Sequence, residues 1–333
     1  MVSILQICKQ NLIMHETSFK NFLKYFLFFL VLSAIWQCEK DPAQLTQKSV
    51  NTDSITAAEK AARIKDSIEK NKITYTTFIF PKNKKDSAME VFTKKFSAEE
   101  QYIILALNRL DTKNKWRADT LSIPDKFDKT LMIYSPFPRS LEVLNKVDKI
   151  ALFSYPIQAY ALYEFGTLIK WGPTSLGKKT AQTKRGLMFA NWKKELAIST
   201  VDSEWKLPYN FNIHNRLGIG WHEYDLPGFP ASHSCLRLLH DDAKYLYNWA
   251  DTWRLTNNGE TVKTNGTPVI VFGDYAWGKR KPWKYLEESP KLTDISADEM
   301  TEIIEPYLEK ILEEQEKRLE FVRAQEIEDS EIT

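Results

Sequence analysis

Apolar and polar residues alternate in short runs over most of the chain, and helical spacing replaces that alternation in only a few places. Residues 74–80 and 119–124 alternate as strands, and between them 88–96 and 98–107 carry apolar residues at helical intervals. A small strand-helix-helix-strand unit is predicted there. Residues 150–155, 158–165, 166–171, 208–213 and 268–272 are short β-branched and aromatic runs separated by Gly, Pro and Asn, which predicts five strands. Phe165-Gly166-Thr167 lies between two of them, where a tight hairpin is required. Residues 243–253 return to helical spacing, and Asp241 and Asp242 at the start suit a helix dipole. Beyond residue 289 the chain is acidic and helical, with Ile303, Ile304, Leu308 and Ile311 forming a modest stripe that either packs or frays. The expected fold class is mostly β with a few helices, α+β.

The amino-terminal pattern is of another kind. Lys20 and Lys24 precede an apolar run over 25–35, which ends at Trp36-Gln37-Cys38. That is the layout of an export signal, and the run is shorter than the roughly 18–20 residues a membrane-spanning helix needs. A buried core helix is the alternative. Cys38 resembles the acylated cysteine of bacterial lipoproteins, although Gln37 stands where a small residue is usual. The layout begins cleanly after Met14, so residues 1–13 read as an upstream start and Cys8 carries no meaning. Five segments are expected: a signal at 1–38, a polar tether at 39–72, an α/β preface at 73–126, a main domain at 127–288 and an acidic helical tail at 289–333. The order of the preface, with Asn108-Arg109-Leu110-Asp111 and a strand ending in Leu-Ser-Ile-Pro124, faintly resembles a LysM peptidoglycan-binding module.

Composition narrows the function classes. The chain has 333 residues, 43% hydrophobic, 27% charged and 13% aromatic, which is globular. A net charge of +2 supplies no field for nucleic acid, so none is expected as a partner. Cys8, Cys38 and Cys235 are too sparse for a disulfide framework.

Four of the five histidines, His214, His222, His233 and His240, fall in one 27-residue stretch that also contains Cys235. A thiol needs a base or a positive setting to ionise near neutrality, and an imidazole is the usual means. Three readings of the residues stay open: a buried small cysteine, a zinc site, and a nucleophile. His-x-Cys lacks the usual spacer between paired zinc ligands, and no second Cys stands nearby.

The order His214, seventeen residues, then Ser232-His233-Ser234-Cys235-Leu236-Arg237 resembles the signature of the L,D-transpeptidase (YkuD-type) family. Trp171-Gly172-Pro173-Thr174-Ser175-Leu176-Gly177, Gly186-Leu-Met-Phe-Ala-Asn-Trp192 and Gly266-Thr267-Pro268-Val269 extend the likeness over about residues 148–278. The resemblance implies a β-sandwich or barrel catalytic domain, with a helical amino-terminal region and a carboxy-terminal helix outside it. It implies Cys235 as nucleophile, His214 as base and His233 as its companion. It further implies an oxyanion hole at the Ser234 and Cys235 N–H groups, and the Asn215 carbonyl holding His214 in one tautomer. Arg237 and Ser232 are expected to bind substrate. No metal or cofactor is implied. The reaction would be acyl transfer from a tetrapeptide stem of peptidoglycan, releasing D-Ala, to an amine acceptor. An L,D-carboxypeptidase or cross-link hydrolase would use the same site, and an inactive peptidoglycan-binding lipoprotein would only dock on stems. A papain-like protease is disfavoured because both histidines precede the cysteine. The expected location is the periplasm or outer envelope, tethered to the membrane by the signal segment or a lipid. Two departures stand out. Ser234 replaces a Gly, and Thr183-Lys184-Arg185 replaces a Thr-Pro, a change expected to alter a loop and not the chemistry.

Overall fold

The computed structural model describes residues 72–199, 202–256 and 259–332; the expected signal, Cys38 and all but the last residue of the tether lie outside them. No helix among the described residues is long and apolar enough to cross a membrane.

Strand β1 (Tyr75–Ile79) pairs antiparallel with β2 (Thr120–Pro124), and helices α1 (Lys85–Lys95) and α2 (Ala98–Leu107) lie between them in sequence. A capping box starts α2: Ser97 Oγ accepts from the Glu100 N–H at 3.2 Å, and Glu100 accepts from the Ser97 N–H at 2.8 Å. Helix α2 is apolar on two sides. Ile104 and Leu105 join Phe80, Phe92 and Leu121 in one cluster, while Ile103, Ala106 and Leu107 enter a second. It therefore fastens this unit to the sheet that follows.

That sheet has five strands, β3 (Ile150–Ser154), β4 (Ala159–Glu164), β5 (Thr167–Pro173), β6 (Gly186–Phe189) and β13 (Pro268–Phe272), in the order β5-β4-β3-β13-β6, with β13 parallel to β3. Every residue of β3 and β13 is buried, so neither shows a polar face. A second sheet of four strands, β7 (Lys193–Ile198), β8 (Lys206–His214), β9 (Ile219–Glu223) and β10 (Leu236–Leu238), has the order β10-β9-β8-β7. Ala151, Phe153, Tyr160, Leu162 and Val271 of the first sheet meet Phe211, Ile213, Trp221 and Leu236 of the second. Ile150, Leu152, Ala161, Tyr163 and Ile270 point the other way, into a core shared with α2 and the carboxy-terminal helix. The class is α+β, a pair of packed sheets with a further layer on the outer face of the larger one.

Phe165 and Gly166 join β4 to β5 with φ of 46° and 74°, the two positive values a type I′ hairpin demands. Helix α3 (His240–Trp249) starts three residues before the expected span and stops four before its end. Residues 250–253 leave the helix because their backbone is recruited by the sheet's edge: Asp251 accepts from the Thr267 N–H, and Trp253 donates to Asn191. Strand β7 was absent from the pattern because its burial shows no two-residue period; it exists through its pairing with β8. The stripe beyond residue 289 packs. It belongs to α4 (Ala297–Ile332), which buries Met300, Ile304 and Ile311 and is tied down by Arg318 to Asp148 at 2.5 Å. A short hairpin, β11 (Arg254–Leu255) and β12 (Val262–Thr264), completes the strands.

Gly220 sets the spacing of β8 and β9. A Cβ there would lie 2.5 Å from the Phe211 carbonyl oxygen and 3.1 Å from Asn212 Cα, both backbone atoms of the paired strand. Gly220→Ala should therefore cost about 2 kcal/mol or more, read as a lower urea midpoint at unchanged slope. A change under about 0.5 kcal/mol would show that the strands can part without penalty.

Candidate active site

Strands β8, β9 and β10 carry the predicted residues to one edge of the smaller sheet. His214 ends β8, its backbone extended, and heads a single 3-10 turn over Asn215–Leu217. Cys235 sits just before β10, which runs parallel to β9 and sets Arg237 opposite His222. The loop before Cys235 is stitched to the segment after β5: Ser232 N–H donates to Leu176 and its carbonyl accepts from Lys178, while Arg237 exchanges two backbone bonds with Ser175. These bonds place the Cys235 turn against the end of the larger sheet.

A cavity of about 130 Å³ opens at this turn, and its lining includes His233, Ser234, Cys235, Arg237, Trp192 and Trp205. Cys235 Sγ is partly buried and lies 3.9 Å from the Gly218 carbonyl. Burial pushes its thiol up, opposed by the Gly220 N–H and by the Arg237 charge. At rest the group is a thiol rather than a thiolate. Arg237 lies with its guanidinium 4.4 Å from the centre of the Tyr224 ring and donates to the Asp225 carbonyl at 3.4 Å. Ser232 is buried, and its hydroxyl donates to the Cys235 carbonyl at 2.5 Å, closing the turn from inside.

Ser234 adopts φ of 89°, a left-handed backbone that Gly enters freely and other residues rarely do. The N–H groups of Ser234 and Cys235 make no hydrogen bond to any described residue. The turn therefore keeps the shape that a glycine would give, at a local cost of about 1 kcal/mol.

Among the described residues, Sγ makes no hydrogen bond to His214 or His233. His214 Nδ1 accepts from the Leu217 N–H at 3.3 Å, so it is not placed to donate to the backbone carbonyl of Asn215; the side-chain Oδ1 of Asn215, a separate oxygen, accepts from Trp192 Nε1 at 3.1 Å. His214 Nε2 meets Lys184 Nζ at 3.1 Å, and His233 Nε2 meets Lys178 Nζ at 2.5 Å. Both imidazoles titrate below an ordinary histidine: partial burial is the first cause, followed by Lys184 for His214 and by Lys178 for His233. The Thr183-Lys184-Arg185 departure thus does more than reshape a loop, because it sets a cation on the imidazole predicted to act as base.

His222 is the residue that pattern reading underrated. It is buried on β9, lines the same cavity, bonds the Glu223 carbonyl through Nδ1 at 2.9 Å, and is held neutral by burial, its pKa pushed down to about 4. Its neighbour Trp221 is core, tilted against Phe211 and stacked on Phe153. The exposed His240 opens α3 and pairs with Glu223 at 2.8 Å, away from the cavity. Among the described residues no cluster of three or more His, Cys, Asp or Glu is arranged to hold a metal.

Two consequences are measurable. Ser234→Gly should raise the unfolding free energy by about 1 kcal/mol, since the new residue adopts the observed φ without strain; an unchanged urea midpoint would contradict the strain. Because the thiol is raised, Cys235 alkylation by neutral iodoacetamide should climb steadily from pH 7 to above pH 9. Arg237→Met, which removes an attracting charge, should slow it about three- to tenfold at pH 8. A plateau below pH 8 would show a thiolate already formed.

The sequence over residues 148–271 matches the YkuD family model, described as the L,D-transpeptidase catalytic domain. No curated protein matches the chain. Among solved structures, the chain is similar to an L,D-transpeptidase from Stackebrandtia nassauensis, with 26% identity over 39% of this chain and 58% of that one, TM-score 0.32. It is also similar to one from Xylanimonas cellulosilytica, with 23% identity over 42% and 66%, TM-score 0.31. A Mycobacterium tuberculosis L,D-transpeptidase shares 18% identity over 46% and 72%, TM-score 0.30. The chain spans under two thirds of the length of the first of these.

Proposed function

Taking residues 148–271 as a YkuD-type L,D-transpeptidase catalytic domain, we propose that the protein is a cell-envelope cysteine acyltransferase acting on the stem peptides of peptidoglycan. The observation that carries this reading is the Cys235 turn: a thiol at a cavity mouth, two successive unbonded N–H groups at Ser234 and Cys235, and Arg237 beside them. Unbonded donors aimed from a rigid turn are what a tetrahedral oxyanion requires.

In the proposed reaction, His214 leaves its contacts with Lys184 and the Leu217 N–H, carries its own proton on Nδ1, and takes the Cys235 thiol proton on Nε2. The thiolate attacks the carbonyl of the third stem residue. The oxygen takes the electron pair and is held by the Ser234 and Cys235 N–H groups. Collapse breaks the amide bond, and the proton on His214 leaves with the amine of the departing D-Ala. A thioester on Cys235 remains, and an incoming amine, deprotonated by His214, takes the acyl group from sulfur. His233 borders the same turn, and the Arg237 fork suits a stem carboxylate. Ser232 positions the nucleophile through the Cys235 carbonyl. None of these steps calls for a metal or a cofactor.

The segments around this domain complete the proposal. Residues 1–38 act as an export signal with Cys38 as lipidation site, 39–72 as tether, 73–126 as preface and 289–333 as tail, placing the catalytic domain at the periplasmic or outer envelope face of a membrane.

Incubating the protein with tetrapeptide muropeptides and weighing the products tests the function. Loss of D-Ala with dimer formation is expected. Loss without dimers would assign a carboxypeptidase, and binding without turnover a docking module. Cys235→Ala should abolish turnover, and His214→Ala should lower kcat by about 100-fold or more. Full activity in Cys235→Ala would overturn the mechanism.

A further inference from the structure

Strands β8 and β9 alternate between the core and the Cys235 cavity. Phe211, Ile213 and Trp221 point into the core between the sheets, so Asn212 and His222 point to the other face. Both line the cavity that holds Cys235 and Arg237. Asn212 is the register partner of Gly220, whose N–H acts on the Cys235 thiol, and His222 is the register partner of Arg237.

Each of these two side chains is only 4% exposed, and each keeps an acceptor without a donor. Among the described residues, Asn212 Oδ1 is a buried atom with no hydrogen-bonding partner, and it is the one such atom on a residue of this cavity. The Nδ1 of His222 donates to the Glu223 carbonyl, which can only accept, so in the neutral ring Nε2 carries a bare lone pair. Burial holds the ring neutral, and no described residue donates to Nε2. A buried acceptor left unpaired costs stability, and its retention points to a donor supplied by a ligand.

Two acceptors in one cavity suit a group with two polar hydrogens. A neutral primary amine has two N–H bonds and one lone pair, so pairing both hydrogens leaves the lone pair free to attack. An ammonium suits the cavity less, because the Arg237 charge already acts on His222 there. Water also carries two hydrogens, which makes it the competing acceptor.

We propose that Asn212 and His222 form the acceptor subsite of the Cys235 cavity, with Asn212 Oδ1 and His222 Nε2 each accepting one N–H of the incoming primary amine. The amine nitrogen bonds to the thioester carbon, the C–S bond breaks, and one amine proton passes through His214 to the sulfur, restoring the thiol. The assignment rests on the acyltransferase reading, but its test forms the thioester without a stem peptide, so the two fail separately.

Acetylating the full chain with p-nitrophenyl acetate supplies the Cys235 thioester, and peptide mass mapping separates it from Cys8 and Cys38. Its loss is followed at pH 8 in glycinamide, whose α-amine is largely neutral there. In the wild type, aminolysis should saturate with glycinamide. In Asn212→Leu the ratio of aminolysis to hydrolysis should fall about tenfold, the loss expected for one hydrogen bond to a buried acceptor. Asn212→Asp, which returns an oxygen, should recover most of it. His222→Leu and His222→Gln should behave as the same kind of pair. Aminolysis that rises linearly in the wild type, or a ratio unmoved in both Leu variants, overturns the subsite.

A second measurement needs no variant. Sarcosinamide, a secondary amine, offers a single N–H, so acetylated wild type should prefer glycinamide over it about tenfold more strongly than S-acetylglutathione does. Equal preference overturns the assignment. Absence of muropeptide turnover, with these ratios as expected, would count against stem peptides as the substrate and leave the acceptor subsite standing.

Discussion

The burial of the five-stranded sheet on both faces is the constraint from which the rest of the structure follows. Strands β3 and β13 are parallel neighbours without a solvent face, so each side of the sheet must be covered by something apolar. On one side that cover is the four-stranded sheet, and on the other it is α2, α4 and the loops over residues 131–147. The helices outside the catalytic match are therefore structural parts of the sheet's outer core. They supply Ile103, Leu107, Met300, Ile304 and Ile311, without which Ile150, Leu152 and Ile270 would face water.

The smaller sheet inherits its position from that packing, and the cavity inherits its position from the smaller sheet. Phe211 and Trp221 anchor β8 and β9 to the core, so the ends of those strands project at the sheet edge with little freedom. Gly220 lets the two backbones approach closely there. The Cys235 turn is then pinned by bonds to the segment after β5 and by the Ser232 hydroxyl. A turn held from several sides can sustain a left-handed serine, because the surrounding bonds outweigh a strain of about 1 kcal/mol.

Electrostatics at this site oppose one another. Burial raises the thiol, while Arg237 and the Gly220 N–H pull it down; burial and the neighbouring lysines lower the imidazoles. The resting state is a neutral thiol and two neutral histidines, with Lys178 and Lys184 on the imidazoles and Arg237 the cation that acts on the thiol.

Much of this was legible in the residues alone. The two helices of the preface, strands β3, β4, β5 and β13 of the larger sheet and the β4–β5 hairpin follow from period and turn chemistry, which are local properties. The cluster of His214, His233, Cys235 and Arg237 was legible as spacing. What local pattern could not reveal was every feature that depends on a partner distant in sequence. Strand β7 has no alternation of its own and exists by pairing with β8. Helix α3 ends early because residues 251 and 253 bond to residues 267 and 191. The burial of His222 depends on β10 lying beside β9 in parallel register, which no local pattern shows. The cysteine and its histidines were determined by the sequence, with their order and the serine in place of glycine. Only the tertiary structure decided that the serine takes the glycine-like φ and that two lysines some 30 to 55 residues away come to rest on the imidazoles. Ionic and hydrogen-bonding partners are chosen by proximity in space, and that proximity is created by the packing of the two sheets.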